Sequence, residues 1–209
     1  MGIPVLILGK SGSGKSTSLR NFNEDEVVIF NVASKPLPFR KKLPKQNGST
    51  YKTICESISK GVANSKIKSY VIDDSQYLMA FELFSRTKET GYGKFTDMAC
   101  NFKSLIDFVI KNTPSDVLVY FLHHVQESEY GVKAKTVGKM LDDQLTVEGM
   151  FSVVLMTHFE NGKYTFLTQT DGYNTVKSPM DMFSDRNIDN DLKSVDKAIR
   201  EYWELEGSN

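Results

Sequence analysis

Cysteine is nearly missing from this 209-residue chain: Cys55 and Cys100 stand alone, without the spacing of metal ligands. That excludes a disulfide framework and a cysteine-built zinc site. Two isolated thiols in helix-like segments read as buried free cysteines. An excess of one charge is missing too, since 26 Lys and Arg face 26 Asp and Glu. No global field draws the protein to nucleic acid or membrane, and any such affinity must come from local patches. No long hydrophobic run is present; the first apolar stretch, Ile3–Leu8, is short and interrupted by Pro4, so it is neither a signal peptide nor a membrane span. The expectation is a cytoplasmic protein without a membrane partner, in which the sequon at Asn47, Gly48 and Ser49 carries no meaning. Arginine is scarce, with Arg20, Arg40, Arg86, Arg186 and Arg200 scattered singly. A small-molecule kinase needs a mobile arginine-rich lid to clamp phosphates, so that class is disfavoured. There is no internal repeat and no low-complexity tract.

What is present suits one α/β domain: 40% apolar and 25% charged residues, and length enough to bury a substantial core. Strand-like runs recur at Ile3–Leu8, Val27–Val32, Lys68–Asp73 and Val117–Leu122. Helical segments separate most of them, which predicts a mostly parallel sheet flanked by helices. Ile3–Leu8 is nearly all apolar, as a strand covered on both faces should be, and Pro4 is tolerable at its start. Helices are expected over Lys15–Phe22, Thr53–Ala63, Gln76–Arg86, Thr96–Asn112 and Met140–Gln144. In the fourth of these, Phe102, Leu105, Ile106 and Val109 share a face that meets the sheet. The stretch His123–Lys139 reads as a mixed loop. A hairpin follows, Ser152–Phe159 and Lys163–Gln169 joined at Asn161 and Gly162, a strong turn signal. Ile188, Leu192, Val195, Ile199, Tyr202 and Trp203 then fall at helical spacing, an amphipathic helix over Ile188–Leu205.

The most informative stretch is Gly9-Lys10-Ser11-Gly12-Ser13-Gly14-Lys15-Ser16, which fits G-x-x-x-x-G-K-[ST] directly after the first strand. A strand running into a glycine-rich turn and then a helix surrounds an anionic phosphate chain with backbone N–H groups. Gly9, Ser11, Gly12, Ser13 and Gly14 would form that cradle. Lys15 would reach the β- and γ-phosphates, the Ser16 hydroxyl would ligate Mg²⁺, and Thr17 would add its backbone N–H. The partner acid is expected at the end of another strand, and Tyr70-Val71-Ile72-Asp73-Asp74 supplies it. Asp73 is the expected metal-side carboxylate, in the Walker B manner. ATP and Mg²⁺ are therefore the expected ligands.

Other positions keep two readings open. Asp74 either polarises the attacking water or caps the helix that follows. His124, or its neighbour His123, ends the fourth strand where ligands gather in such sheets, and either senses the γ-phosphate or packs at the sheet edge. Lys177, in the stretch Thr170–Pro179, is either a solvated surface group or a cation delivered to a neighbouring subunit's triphosphate. A basic loop, Ser34–Lys52, contains Lys35, Arg40, Lys41, Lys42, Lys45 and Lys52 and no acid. Lys133, Lys135 and Lys139 flank Gly131 and Gly138 in the loop after the fourth strand. Together with Arg40–Lys45 they are the best candidate for single-stranded nucleic acid, although either patch alone can equally be a solvated surface. Phe39, Tyr51 and Tyr130 are too few there to support base stacking.

The glycine-rich opening, the sequence VIDDSQYL at residues 71–78, Leu122-His123-His124, and the late hairpin followed by DGYNTVKSP resemble the phage-encoded RecA-like P-loop ATPases, a group that includes the Sak-type single-strand annealing proteins. The resemblance covers roughly residues 3–183. It implies a RecA/AAA-like parallel sheet in which the strand bearing His123 lies between the P-loop strand and the Walker B strand. It also implies ATP-dependent binding of single-stranded DNA in recombination, as a homo-oligomer in the host-cell cytoplasm. Lys177 would then complete the neighbour's site. RecA places a catalytic glutamate after its second strand, whereas this chain has Asn31, Ala33 and Ser34 there. Either Asp74 does that work or hydrolysis is slow. The expected division is a RecA-like domain over 1–183 and an acidic helical tail over 184–209, since Asp181–Glu206 carries eight acids against four bases. An acidic helix is no partner for phosphate. It would dock on the core or on another protein, and an ATPase that loads a replication protein is the alternative function.

Overall fold

Strand β1 (Ile3–Gly9) sorts its side chains with the period of two that a strand imposes. Leu6 and Leu8 enter one hydrophobic core, Val5 and Ile7 the other. The same split runs through β2 (Val27–Asn31), β4 (Ser69–Asp73) and β5 (Leu118–Ser128), so the sheet is covered on both faces. This computed structural model describes residues 1–64 and 66–205. Among the described residues the sheet has nine strands in the order β3-β2-β4-β5-β1-β7-β8-β9, with β6 (Gly131–Ala134) paired to β5. Strands β3 (Lys45–Asn47), β2, β4, β5, β1 and β7 (Val153–Glu160) are mutually parallel, β8 (Lys163–Leu167) runs antiparallel to β7, and β9 (Asn187–Asp189), antiparallel to β8, returns to the direction of β7. The His123 strand β5 does lie between the P-loop strand β1 and the Walker B strand β4.

Helices α1 (Tyr51–Asn64), α2 (Gln76–Ser85) and α3 (Gly93–Asn112) cover one face, and the short α4 (Met140–Gln144) adds Leu141 to the same core. In α3, Phe102, Leu105, Ile106 and Val109 are all buried, as their spacing requires. Helix α5 (Leu192–Tyr202) covers the other face with Leu192, Val195 and Ile199. A buried polar cluster fixes it: Asp196 accepts from Ser69 Oγ (2.6 Å) and the Tyr120 hydroxyl (2.8 Å), and Arg200 Nε donates to Asp196 at 2.7 Å. The β7–β8 turn has Asn161 at φ 52 and Gly162 at φ 79, the pair of left-handed residues that a tight type I′ turn demands.

Several local expectations are corrected. The segment after the P-loop is a 3-10 turn, Ser16–Asn21, not an α-helix from Lys15 to Phe22. Ser18 Oγ bonds back to the Lys15 carbonyl (2.6 Å), which favours the tighter turn, and Phe22 is already extended. The stretch read as a loop over His123–Lys139 begins as strand: β5 runs on to Ser128 and returns as β6 (Gly131–Ala134). Its polar residues follow no apolar alternation because that end of the hairpin faces water. The loop Ser34–Lys52 contains β3, pinned where Leu43 enters the core. The last helix starts at Leu192, because Asp191 caps it by accepting from the Lys193 N–H (3.0 Å), while Ile188 lies in β9. The two cysteines are not buried: Cys55 is half-buried and Cys100 exposed.

Candidate functional site

The carboxyl ends of β1, β4, β5 and β2 converge on one rim of the sheet, and the chemistry-bearing residues gather there. The P-loop leaves β1 at Gly9. Gly12 (φ 75) and Gly14 (φ 97) take the left-handed conformations that shape the loop. A Cβ on Gly14 would also come within 2.9 Å of the Tyr164 ring and 3.3 Å of the Asn190 amide. Ser11 and Gly12 form the exposed crest, and Ser13 shares a hydrogen bond with the Thr157 hydroxyl on β7. The Lys15 ammonium is buried in the ring of the loop, donating to the Gly9 and Lys10 carbonyls, each at 2.8 Å. Burial lowers its pKa to about 8, although Asp74 and Asp73 nearby favour the charged form.

Ser16, in the first turn after the loop, donates Oγ to Asp73 Oδ1 at 2.8 Å, bringing together the two groups expected to hold Mg²⁺. Thr17 follows it, half-buried. Asp73 is buried, and desolvation raises its pKa above the usual carboxylate value in spite of the Ser16 hydrogen bond and the Lys15 charge. A buried carboxylate that its neighbours under-compensate, bonded to a hydroxyl, is a hard-oxygen pair that fits Mg²⁺. That ion takes one or two protein oxygens and completes its shell with phosphate and water. Among the described residues no cluster of three or more His, Cys, Asp or Glu could hold a metal by itself.

Asp74 does not cap α2. Its carboxylate accepts from Lys35 Nζ (2.9 Å) and pairs with His124 Nε2 (3.1 Å), while its backbone lies at φ 61. Burial alone would raise its pKa. The hydrogen bonds from His124 and Lys35, with the lysine charge, bring it down to about 2. A carboxylate so acidic orients a water better than it takes its proton.

The two histidines separate by role. His124 stands at the site, edge-on to Tyr77. His123 is fully buried, between the Ser75 hydroxyl (2.9 Å) and the Lys135 carbonyl (2.8 Å). A carbonyl only accepts, so Nε2 carries the proton and Nδ1 takes the serine hydrogen. Burial lowers the His123 pKa to about 4, and the ring stays neutral.

Lys177 is not among the groups bonded to Lys15, Asp73 or Asp74. Its backbone pairs with Val154, which lies opposite Leu6 in the middle of β1. The two basic patches also part company. Arg40, Lys41 and Lys42 lie near the amino ends of the strands, where Lys41 Nζ reaches Asn23 Oδ1 (3.4 Å) just before β2. Lys133 stands on the β5–β6 hairpin at the opposite, P-loop end, with Lys135 and Lys139 following it. They do not form one surface.

Sequence reasoning missed Lys35, Thr157, Tyr164 and Asn190. Lys35 was hidden in the basic loop, although its place just past the carboxyl end of β2 is a usable signal. The other three reach the P-loop only through the fold, and nothing local marks them.

No protein-family model matches the chain, and no match was found among curated proteins. Among solved structures the chain is similar to a KaiC-like protein of the hyperthermophilic archaeon Pyrococcus horikoshii OT3, with a TM-score of 0.51 and 15% identity over 79% of this chain and 78% of that one. Likeness at that identity carries the fold alone, a mostly parallel KaiC/RecA-like P-loop sheet. No helix among the described residues is long and apolar enough to cross a membrane.

Proposed function

We propose that this chain is a Mg²⁺-dependent P-loop ATPase that acts with single-stranded DNA, in the manner of phage recombination and annealing proteins, as a homo-oligomer. One observation carries the reading: the Ser16 hydroxyl and the Asp73 carboxylate meet at 2.8 Å beside a P-loop lysine buried in its own loop. Ser16 and Asp73 would hold Mg²⁺, which would supply positive charge to offset that on the transferred group. Lys15 exchanges its two carbonyl contacts for phosphate oxygens. The loop N–H groups from Gly12 to Thr17 hold the rest of the chain of phosphates. Asp74, kept ionised, orients the water for attack, and His124 holds Asp74 in place. Lys177, exposed and outside its own chain's site, is free to serve the neighbouring subunit's triphosphate. The β5–β6 hairpin with Lys133 and the following Lys135 and Lys139 supplies the DNA contact nearest the nucleotide. A loader role is less favoured, because α5, the element that would hold a partner, already spends its apolar face on this chain's core.

The test is ATP hydrolysis with and without single-stranded DNA, with Lys15→Ala as the blank. Hydrolysis that DNA stimulates and Lys15→Ala abolishes supports the reading. Lys15-dependent hydrolysis that is indifferent to DNA leaves an ATPase and removes the DNA partner.

A further inference from the structure

Lys35 is held in place more firmly than a surface lysine needs to be. It follows the carboxyl end of β2, and one buried side chain clamps its backbone on both sides. Asn31, 1% exposed, accepts from the Lys35 N–H (3.2 Å) and donates Nδ2 to the Lys35 carbonyl (2.6 Å). The same amide reaches Asn47 Oδ1 (3.0 Å), which ties the turn to β3. Ser34, just before it, adopts φ 56, a conformation that a side chain disfavours. A solvated lysine requires neither the clamp nor the strained turn.

These constraints aim the ammonium into the site. Lys35 Nζ donates to Asp74 Oδ2 at 2.9 Å and lies 4.9 Å from the centre of the Tyr77 ring. Asp74 adjoins Asp73, the carboxylate bonded to Ser16. An ammonium has three donors, and among the described residues one hydrogen bond of Lys35 Nζ is made, to Asp74. Its side chain remains 59% exposed, open to a ligand. Charge points the same way. Lys15 and Lys35 balance Asp73 and Asp74, and a triphosphate with one Mg²⁺ adds roughly two negative charges to that balance.

The geometry points to Lys35 as a catalytic cation acting in cis: it contacts the terminal phosphate of a bound nucleoside triphosphate and meets the charge that builds there during transfer. The inference rests on the triphosphate reading above. It places the second cation in the same chain, independently of Lys177, and on the group that a diphosphate lacks. Lys35 is therefore what distinguishes a triphosphate from a diphosphate.

Calorimetric titration of the full chain with Mg²⁺ and a non-hydrolysable ATP analogue, and separately with ADP, tests this. Lys35→Ala is expected to weaken the analogue about tenfold and leave ADP unchanged, and Lys35→Arg to restore most of the loss. The same comparison in an Asp74→Ala background separates phosphate contact from mere pairing with Asp74. An effect of Lys35→Ala that persists there supports the inference, and one that vanishes overturns it. Equal losses for both nucleotides, or none for either, also overturn it, while Lys15-dependent binding in the wild type keeps the triphosphate reading intact. A wild-type chain that binds neither nucleotide defeats both.

Discussion

Asp74 occupies the left-handed region at φ 61, a conformation that costs a non-glycine residue about 1 kcal/mol. What that strain achieves is visible in its partners: the carboxylate turns from the start of α2 toward Lys35 and His124. His123, next along β5, is the opposite case, a group whose burial excludes charge. The unfolded chain takes up its proton near pH 6.5, while the folded chain refuses it until about pH 4. Between those values the unfolded state binds more protons, so stability rises with pH. The contribution is complete above about pH 6.5 and is lost as pH falls toward 4, for about 3 kcal/mol in all. His123→Gln keeps a donor for the Lys135 carbonyl and an acceptor for Ser75. In urea unfolding between pH 4.5 and 7 it is expected to show a flatter dependence than the wild type. Equal slopes would mean that His123 does not carry this linkage.

Elements decide which basic residues can work together. The β5–β6 hairpin carries Lys133 beyond the carboxyl end of the sheet, and Lys10 in the P-loop pairs with Glu127 on the same hairpin at 2.7 Å. His123 ties the base of that hairpin to Ser75, beside the Walker B carboxylate. The Arg40–Lys42 segment lies at the other end of the strands. If single-stranded DNA binds at the nucleotide end, Lys133→Ala with Lys135→Ala lowers affinity and reduces the salt slope by about 1 per lysine. Replacing Arg40, Lys41 and Lys42 leaves that slope near the wild-type value. Fluorescence anisotropy across a salt series reads both, and the reverse pattern would move the DNA to the far end.

At the scale of the whole molecule the sheet is sealed on both faces, and the second seal depends on the end of the chain. Past residue 183 come β9, which pairs with β8, and α5, which closes the core above Leu118, Tyr120 and Leu122. Arg200 holds α5 through Asp196, Ser69 (2.9 Å) and the Asp116 carbonyl (2.8 Å). Truncating one partner of a buried ionic network strands the other charge, so Arg200→Ala is expected to cost about 3–5 kcal/mol in denaturant unfolding. A loss below about 1 kcal/mol would mean that this network adds little to the docking of α5. The same region touches the P-loop end, since Arg20 donates to the Asn190 carbonyl at 2.6 Å and Asn190 packs beside Gly14.

The local pattern of residues determined β1, β2, β4 and the buried part of β5, the β7–β8 hairpin, the P-loop, and Asp73 as an acid at a strand's end. Each of these is marked by residues adjacent in sequence, where apolar runs, glycine and turn chemistry leave little choice of backbone. The hairpin β5–β6 was not legible, because only Val125, Val132 and Ala134 of it reach the core, too few to show an apolar alternation. Nor was the meeting of Lys35 with Asp74, the division of His123 from His124, or the approach of Asn190 to Gly14. Those are contacts between segments far apart in the chain. Only the packing of the sheet and its crossovers decided which side chains share a wall and which lie at opposite ends.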